Sequence, residues 1–124
     1  MNYPIGDFLI QVKNAALARK QQVVIVNTKL IQAVANVLKD LGYLDSVKED
    51  EGKLSVKLTY HKKKPLISLV RLVSKPGLRI YSNVDGLEKK KGPSVFIIST
   101  SQGVMSSGKA IKKRLGGEII AEVF

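Results

Sequence analysis

A chain of 124 residues with 44% hydrophobic side chains is long enough for one ordinary domain, or for two small ones sharing an interface, and apolar enough to bury a core. Twenty-one Lys and Arg against ten Asp and Glu leave a net charge of +11, and the lack of cysteine excludes a disulfide framework, a thiolate nucleophile and a zinc knuckle, as befits a reducing, cytoplasmic setting. The aliphatic runs, such as residues 23–26, fall far below the roughly 20 residues of a bilayer span, and a helical pattern that begins almost at Met1 leaves no room for a signal or transit peptide.

In chain order, Ile5, Phe8, Leu9, Val12 and Ala16 recur at helical spacing behind Pro4, which predicts a helix over residues 4–18 closed by Arg19 and Lys20. A short β-branched strand follows at residues 23–26. Asn27 or Thr28 then caps a second helix that buries Leu30, Ile31, Val34, Val37, Leu38 and Leu41 and stops at Gly42. Residues 43–47 and 53–60 read as a β-hairpin with an acidic tip, Glu49 to Gly52, because Leu54, Val56, Leu58 and Tyr60 alternate with polar residues. The run His61-Lys62-Lys63-Lys64-Pro65 marks the expected boundary between two subdomains, 1–64 and 65–124, and reads as a solvated connector in preference to a phosphate clamp, although the two are compatible.

Beyond it, residues 66–73 and 79–82 are predicted strands joined by a turn in which Pro76-Gly77 suits a type II geometry. Residues 83–92, with Lys89, Lys90 and Lys91, read as a polar connection. The strand at 95–98 then runs into Ser99, Thr100 and Ser101, turns at Gly103, and passes Val104 and Met105 to a basic helix. Ser106 or Ser107 is its expected cap; it carries Lys109, Lys112, Lys113 and Arg114 and is stopped by Gly116 and Gly117 before a last strand at 118–123. The fold class is α+β: two small packed subdomains, in the order α-β-α-β-β and then β-β-β-α-β.

Charge is unevenly placed. Residues 1–51 hold six basic and six acidic groups, residues 52–124 fifteen and four, so the second half carries the attraction for a polyanion. Compact hydroxyls beside backbone N–H groups suit phosphate oxygens, base edges and 2′-hydroxyls, and Val104 and Met105 offer an apolar surface for a base or ribose. Lys75, Arg79 and Tyr81 add cations and a ring, with Arg79 and Tyr81 on one strand face. Catalysis is disfavoured: His61 is the only imidazole for any Ser nucleophile, and neither G-x-x-x-x-G-K-[ST] nor G-x-G-x-x-G occurs. No metal or cofactor is implied.

SKPGLRIY (residues 74–81), STSQGVM (99–105) and GGEII (116–120), in that order and spacing, resemble the bacterial-type small-subunit ribosomal protein eight. PIGDFLIQVKNA (4–15) and KLIQAVANVLKDLGYL (29–44) extend the resemblance over essentially the whole chain. It implies a non-enzymatic constituent of the small subunit that binds the central domain of 16S-type rRNA as a primary binder and helps assemble the platform. It further implies binding of its own operon mRNA, contacts with neighbouring small-subunit proteins, and a monomer when free, with no membrane partner. Carried over by position, the contact residues are Ser99, Thr100, Ser101, Gly103, Val104, Met105, Tyr81 and Glu118, with Glu118 expected to hold the loop by accepting from its N–H groups or hydroxyls. Ser106, Ser107, Lys75, Arg79, Lys112 and Lys113 complete the RNA-binding set. The chain departs from the family pattern at Ile10-Gln11, Lys91 to Ser94, Gln102 and Ser106-Ser107. The rival readings are a basic RNA or DNA chaperone without specificity and a serine-dependent hydrolase.

Overall fold

Proline at the first helical position starts α1 (Pro4–Leu17), whose buried face is Ile5, Phe8, Leu9, Val12, Ala15 and Ala16. The computed structural model describes residues 3–90 and 92–124, so Met1 and Lys91 lie outside the described residues. The helix is closed by backbone geometry rather than by charge. Arg19 takes a left-handed φ of 56°, and the N–H groups of Arg19 and Lys20 donate to Ala16 O and Ala15 O at 3.1 and 2.8 Å, satisfying carbonyls the helix leaves open. The same closure ends α2 (Lys29–Asp40) at Gly42, with φ 90°. Of the two candidate caps it is Thr28 that accepts from Ile31 N–H, at 3.1 Å. Leu30, expected on the buried side, is instead 44% exposed.

Strands β1 (Gln22–Val26), β2 (Leu44–Asp50) and β3 (Lys53–Leu58) form an antiparallel sheet in the order β1-β3-β2. The acidic residues Glu49 and Asp50 belong to β2, and the turn is Glu51-Gly52, with φ 50° and 79°, the double left-handed geometry of a type I′ hairpin. Tyr60 does not extend β3: Tyr60–His61 (β4) pairs with Lys64–Pro65 (β5), so the expected connector is itself a tight hairpin.

A second sheet holds β6 (Val70–Leu72), β7 (Tyr81–Ser82), β8 (Val95–Thr100), β9 (Gly103–Ser106) and β10 (Gly117–Val123). Its order is β6-β10-β8-β9, with β7 also on β10. Two helices of six residues, α3 (Val84–Lys89) and α4 (Ser107–Lys112), lie on it. The observed order is therefore α-β-α-β-β-β-β-β-β-α-β-β-α-β. It differs from the expected one in several places. Residues 83–90 contain α3, capped by Asn83, whose Oδ1 accepts Gly86 N–H at 2.8 Å. The strand expected at 66–73 shrinks to three residues because β10 runs out of partners at Val123, and residues 68 and 69 bond instead to Phe124. The strand expected at 79–82 keeps only Tyr81 and Ser82, since Ile80 N–H is taken by the Ser74 hydroxyl at 2.9 Å.

The alternation of β8 divides the apolar interior. Ile97 faces one way, with Ile120, Ala121 and Val123, into a core built with Phe8, Leu9, Val34 and Leu38. Ile98 faces the other, with Phe96, Met105 and Ile119, against Leu87 of α3 and Ala110 of α4. The second sheet is thus covered by α1 and α2 on one face and by α3 and α4 on the other, and the larger core is shared by both halves of the chain. Among the described residues no helix is long and apolar enough to cross a membrane.

Near the far end of β10 the Glu122 carboxylate accepts from the Ser94 hydroxyl at 2.6 Å and from Arg71 at 2.7 and 3.0 Å. The Ser94 hydrogen bond, then Arg71, hold its pKa below the ordinary value of 4.5 against the opposing effect of burial. A depressed carboxylate stabilises the fold above its unfolded pKa, and that contribution is lost as pH falls through the folded value. Glu122→Gln is therefore expected to lower stability by about 1 kcal/mol or less at pH 7, Arg71 being exposed, with the deficit closing as pH drops below 4.5. Urea titrations at neutral and acid pH measure it.

Candidate nucleic-acid interface

Directly opposed residues of an antiparallel sheet point to the same face. Tyr81 stands opposite Glu118, Glu118 opposite Ser99 and Ser99 opposite Val104, so four expected contact residues form one row across β7, β10, β8 and β9. The neighbouring row, Ile119, Ile98 and Met105, points into the α3/α4 core. The first row lies where α1 and α2 begin. There Tyr3, Thr28 and Leu30 face Ser99, Arg79 and Glu118 across an open cleft of about 300 Å³. Tyr81 is 69% exposed and leads the row toward solvent.

Arg79 and Glu118 act on each other. The guanidinium donates to Glu118 Oε2 at 3.3 Å and lies over the Tyr3 ring, 5.2 Å from its centroid. The loop-holding role expected of Glu118 is not what the geometry gives: its partner is Arg79, not the loop's N–H groups or hydroxyls. With both partners partly open to water, the pair contributes little stability and chiefly orients Arg79 beside Tyr81. Arg79 is outside the β7 ladder, so the expected shared strand face is replaced by this clamp. Lys75 is exposed at the preceding turn, where Leu78 N–H donates to Lys75 O at 2.9 Å around Pro76 and Gly77, φ 84°.

The hydroxyl stretch is a hairpin rather than a loop leading to a helix. Thr100 and Gly103 pair across a turn made of Ser101 and Gln102. The Thr100 hydroxyl is spent on the turn, accepting Gln102 N–H at 3.1 Å and donating to Gly103 O at 2.8 Å. Gly103 has φ 115°, which favours glycine whatever the space around it. Ser106 caps α4 by accepting Lys109 N–H, and the Ser107 hydroxyl accepts Phe96 N–H, both at 3.3 Å. These two serve the fold, contrary to the reading of a phosphate-binding helix start. The Ser99 and Ser101 hydroxyls have no hydrogen-bond partner among the described residues, and Ser101, Gln102 and Gly103 are exposed at the tip. The expected apolar surface is reduced to half-buried Val104, because Met105 is 4% exposed and packed against α3 and α4.

Expected to be stopped by Gly116 and Gly117, α4 ends earlier, in a left-handed Arg114 with φ 59°. Lys112 is its last residue, Lys113 its cap, and both are exposed. The two glycines have another task. A Cβ on Gly116 would press on the Ser82 and Asn83 backbone, and one on Gly117 on Ser99 O, with Ser99 C at 2.9 Å. They carry the chain back to the end of β8 at Ser99 and Thr100, while Lys112 and Lys113 precede them, exposed on the short helix that covers the other face of the sheet from the row. Arg114 reaches Glu88 at 3.7 Å.

Sequence reading missed Tyr3, which supports Arg79, and Ser74, whose buried hydroxyl fixes Ile80. No spacing signal links either to the residues it serves. Among the described residues there is no group of three or more acidic or His side chains able to hold a metal ion.

The family model described as ribosomal protein S8 matches residues 3–124. The chain is 38% identical over 122 residues to the small ribosomal subunit protein uS8 of Nitratidesulfovibrio vulgaris (strain DP4), covering 98% of this chain and 97% of that one. To the protein of the same name from Coxiella burnetii (strain RSA 331 / Henzerling II) it is 41% identical over 128 residues, 99% and 98% of the two chains. To that from Legionella pneumophila (strain Corby) it is 37% identical over 128 residues, 99% of each.

Proposed function

The chain belongs to the ribosomal protein S8 family, and from that premise we propose that it is a primary binder of the central domain of 16S-type rRNA, gripping an irregular helix with the hydroxyl hairpin and helping to assemble the platform of the small subunit. As a member of that family it is a structural, non-enzymatic constituent of the small ribosomal subunit, with ribosomal RNA and ribosomal proteins as its partners. The observation that carries the finer reading is the row Tyr81, Glu118, Ser99 and Val104 ending beside an exposed Ser101, with exposed Lys112 and Lys113 on the short helix packed on the same sheet. Free hydroxyls can read base edges or 2′-hydroxyls, an exposed ring can stack, and the helix cations meet phosphate.

The same surface would accept a segment of the protein's own operon mRNA that mimics the ribosomal site. Residues 1–64 act mainly as support for the RNA-binding 65–124 half, and the free protein is a monomer.

The division of labour is testable. Lys113→Ala should weaken binding to cognate and scrambled RNA alike and flatten the salt dependence, whereas Ser101→Ala should weaken only the cognate helix, by roughly 1–3 kcal/mol. Equal losses on both RNAs for both variants would refute it. A footprint on protein-free small-subunit rRNA gives the broader answer: one protected internal helix supports the proposal, and diffuse protection titrated away by bulk nucleic acid marks a chaperone without specificity.

A further inference from the structure

The geometry points to a second RNA contact, a phosphate-backbone site at the β4–β5 hairpin, built from Lys62, Lys63 and Lys64 together with Arg19 and Lys20. This rests on the RNA-binding reading above and extends it to the opposite end of the molecule.

The run His61 to Pro65 is a structured hairpin. Its two turn residues, Lys62 and Lys63, both take left-handed φ values, 52° and 66°. A type I′ turn ordinarily uses Asn, Asp or Gly at such positions, because a Cβ is strained there. Two lysines in succession break the local rule with no packing gain, for both side chains are exposed. Rule-breaking of that kind is expected where function overrides stability. The hairpin is also fastened in place: the Tyr60 hydroxyl donates to Lys20 O, and Leu66 N–H donates to Thr59 O at 3.0 Å. The first of these bonds ties the base of the hairpin to the end of α1, where Arg19 too is left-handed and exposed.

Five exposed cations, drawn from two chain segments, are thereby grouped on one ordered surface. Among the described residues the ion pairs are Arg71–Glu122, Arg79–Glu118 and Arg114–Glu88, so none of the five has a carboxylate within pairing distance. Unpaired lysines carried on ordered backbone suit phosphate, and without ring or hydroxyl readout they supply position and affinity rather than sequence preference.

Two independent paths give the separation from the hydroxyl hairpin. Tyr3 and Pro4, at the start of α1, share the cleft with Ser99 and Glu118, whereas Lys20 follows the helix's far end; 14 residues at 1.5 Å each make roughly 20 Å. Along β10, Glu118 lies opposite Ser99, while Phe124 bonds to Ser68 and Leu69, just past the hairpin. At about 3.3 Å per residue that strand gives a similar length. A short helix seated on Ser101 does not have to reach the lysines; a folded RNA with a neighbouring helix or junction can. The two contacts then act on one molecule, so the second raises affinity through effective concentration.

The test replaces Lys62→Asn and Lys63→Gly together in the full chain. Asn-Gly is the preferred type I′ pair, so the hairpin is kept and relaxed while two charges are removed. Binding is measured against salt with two RNAs: a transcript of the whole central domain and the isolated cognate helix. For the central domain, affinity should fall roughly five- to tenfold near physiological salt and the slope of log K against log salt should shrink by between about 1 and 2, while the isolated helix shows neither change. An unchanged slope and affinity on the central domain overturns the inference, and leaves the lysines to an acidic protein partner or to solvent. If the unmodified protein fails to prefer cognate RNA at all, it is the proposed function that fails, and the two outcomes are told apart by that control.

Discussion

Gly117→Ala should cost about 3 kcal/mol or more and abolish selective RNA binding, although glycine to alanine is the smallest of side-chain changes. Gly117 opens β10, pairing with Ser82 on one side, and the next residue, Glu118, pairs with Ser99 on the other. An added methyl would fall on Ser99 O, with Ser99 C at 2.9 Å and Thr100 Cα at 3.2 Å. These atoms are backbone, in the central strand of the sheet, and cannot swing aside as a side chain would. Relief requires β8 and β10 to part at the row that carries Glu118 and Ser99, or the hairpin tip to tilt. Either response disorders the candidate site before it unfolds the domain. At about 4 °C per kcal/mol, the melting temperature should drop by roughly 10 °C or more, and binding to cognate RNA should fall toward the level of scrambled RNA. Gly108→Ala is the control: nothing lies within 4 Å of the added carbon and the residue is inside α4, so stability should hold or rise by about 0.5–1 kcal/mol. A melting curve for Gly117→Ala that overlays the unmodified one would mean β8 and β10 are less tightly apposed than this register implies.

The same glycine shows where the sequence was legible and where it was not. GGEII, as part of a pattern, identified the family region, but its glycines were read as helix terminators, the commoner use. Helix closure falls instead to Arg114, a residue with no preference for left-handed backbone, and Arg19 closes α1 in the same way. Such ends are imposed by tertiary packing and leave no local signal. Periodic elements were readable: the α1 face from Ile5 to Ala16, the alternation of β3, the turn at Pro76-Gly77. Three short elements were not, because β6 and β7 exist only as far as β10 offers partners, and α3, six residues interrupted by Gly86, has a single buried residue, Leu87.

At the site, residue identity was easier to read than residue role. The hydroxyl stretch was singled out from composition and spacing. Yet Thr100, Ser106 and Ser107 are spent on the turn, the cap and β8, and of the five hydroxyls in the stretch only those of Ser99 and Ser101 lack a partner among the described residues. Met105 illustrates the limit of alternation as a guide: next to Val104 in sequence, it is opposite in face, and only the pairing with Ile98 decides which of the two is buried. Pairing is a long-range fact. It also explains why the lysines at 62–64 end up on a hairpin whose Tyr60 reaches Lys20.

Ser74→Ala should destabilise the protein by about 1–3 kcal/mol and weaken RNA binding as a consequence. Ser74 is fully buried, and its hydroxyl donates to Ile119 O at 2.7 Å while accepting from Ile80 N–H at 2.9 Å. Its own carbonyl accepts from the Tyr3 hydroxyl at 3.3 Å. One residue therefore ties the 75–78 turn to β10 and to the ring beneath Arg79. Alanine fills the space but strands the Ile80 N–H in an apolar setting, next to Val73 and Ile119, where desolvation is not repaid. Ile80 lies between Arg79 and Tyr81, so the least costly relaxation is for residues 78–81 to lift and let water reach the amide. That motion would carry Arg79 away from Tyr3 and Glu118 and take Tyr81 out of its row. Binding loss should thus exceed what the global stability change predicts, and hydrogen exchange at Ile80 and Tyr81 should rise while exchange at Ile97 and Ile98 does not. Uniformly faster exchange across β8 and β10 would instead mean that Ser74 holds up the whole sheet, and that the Arg79 segment has no local freedom of its own.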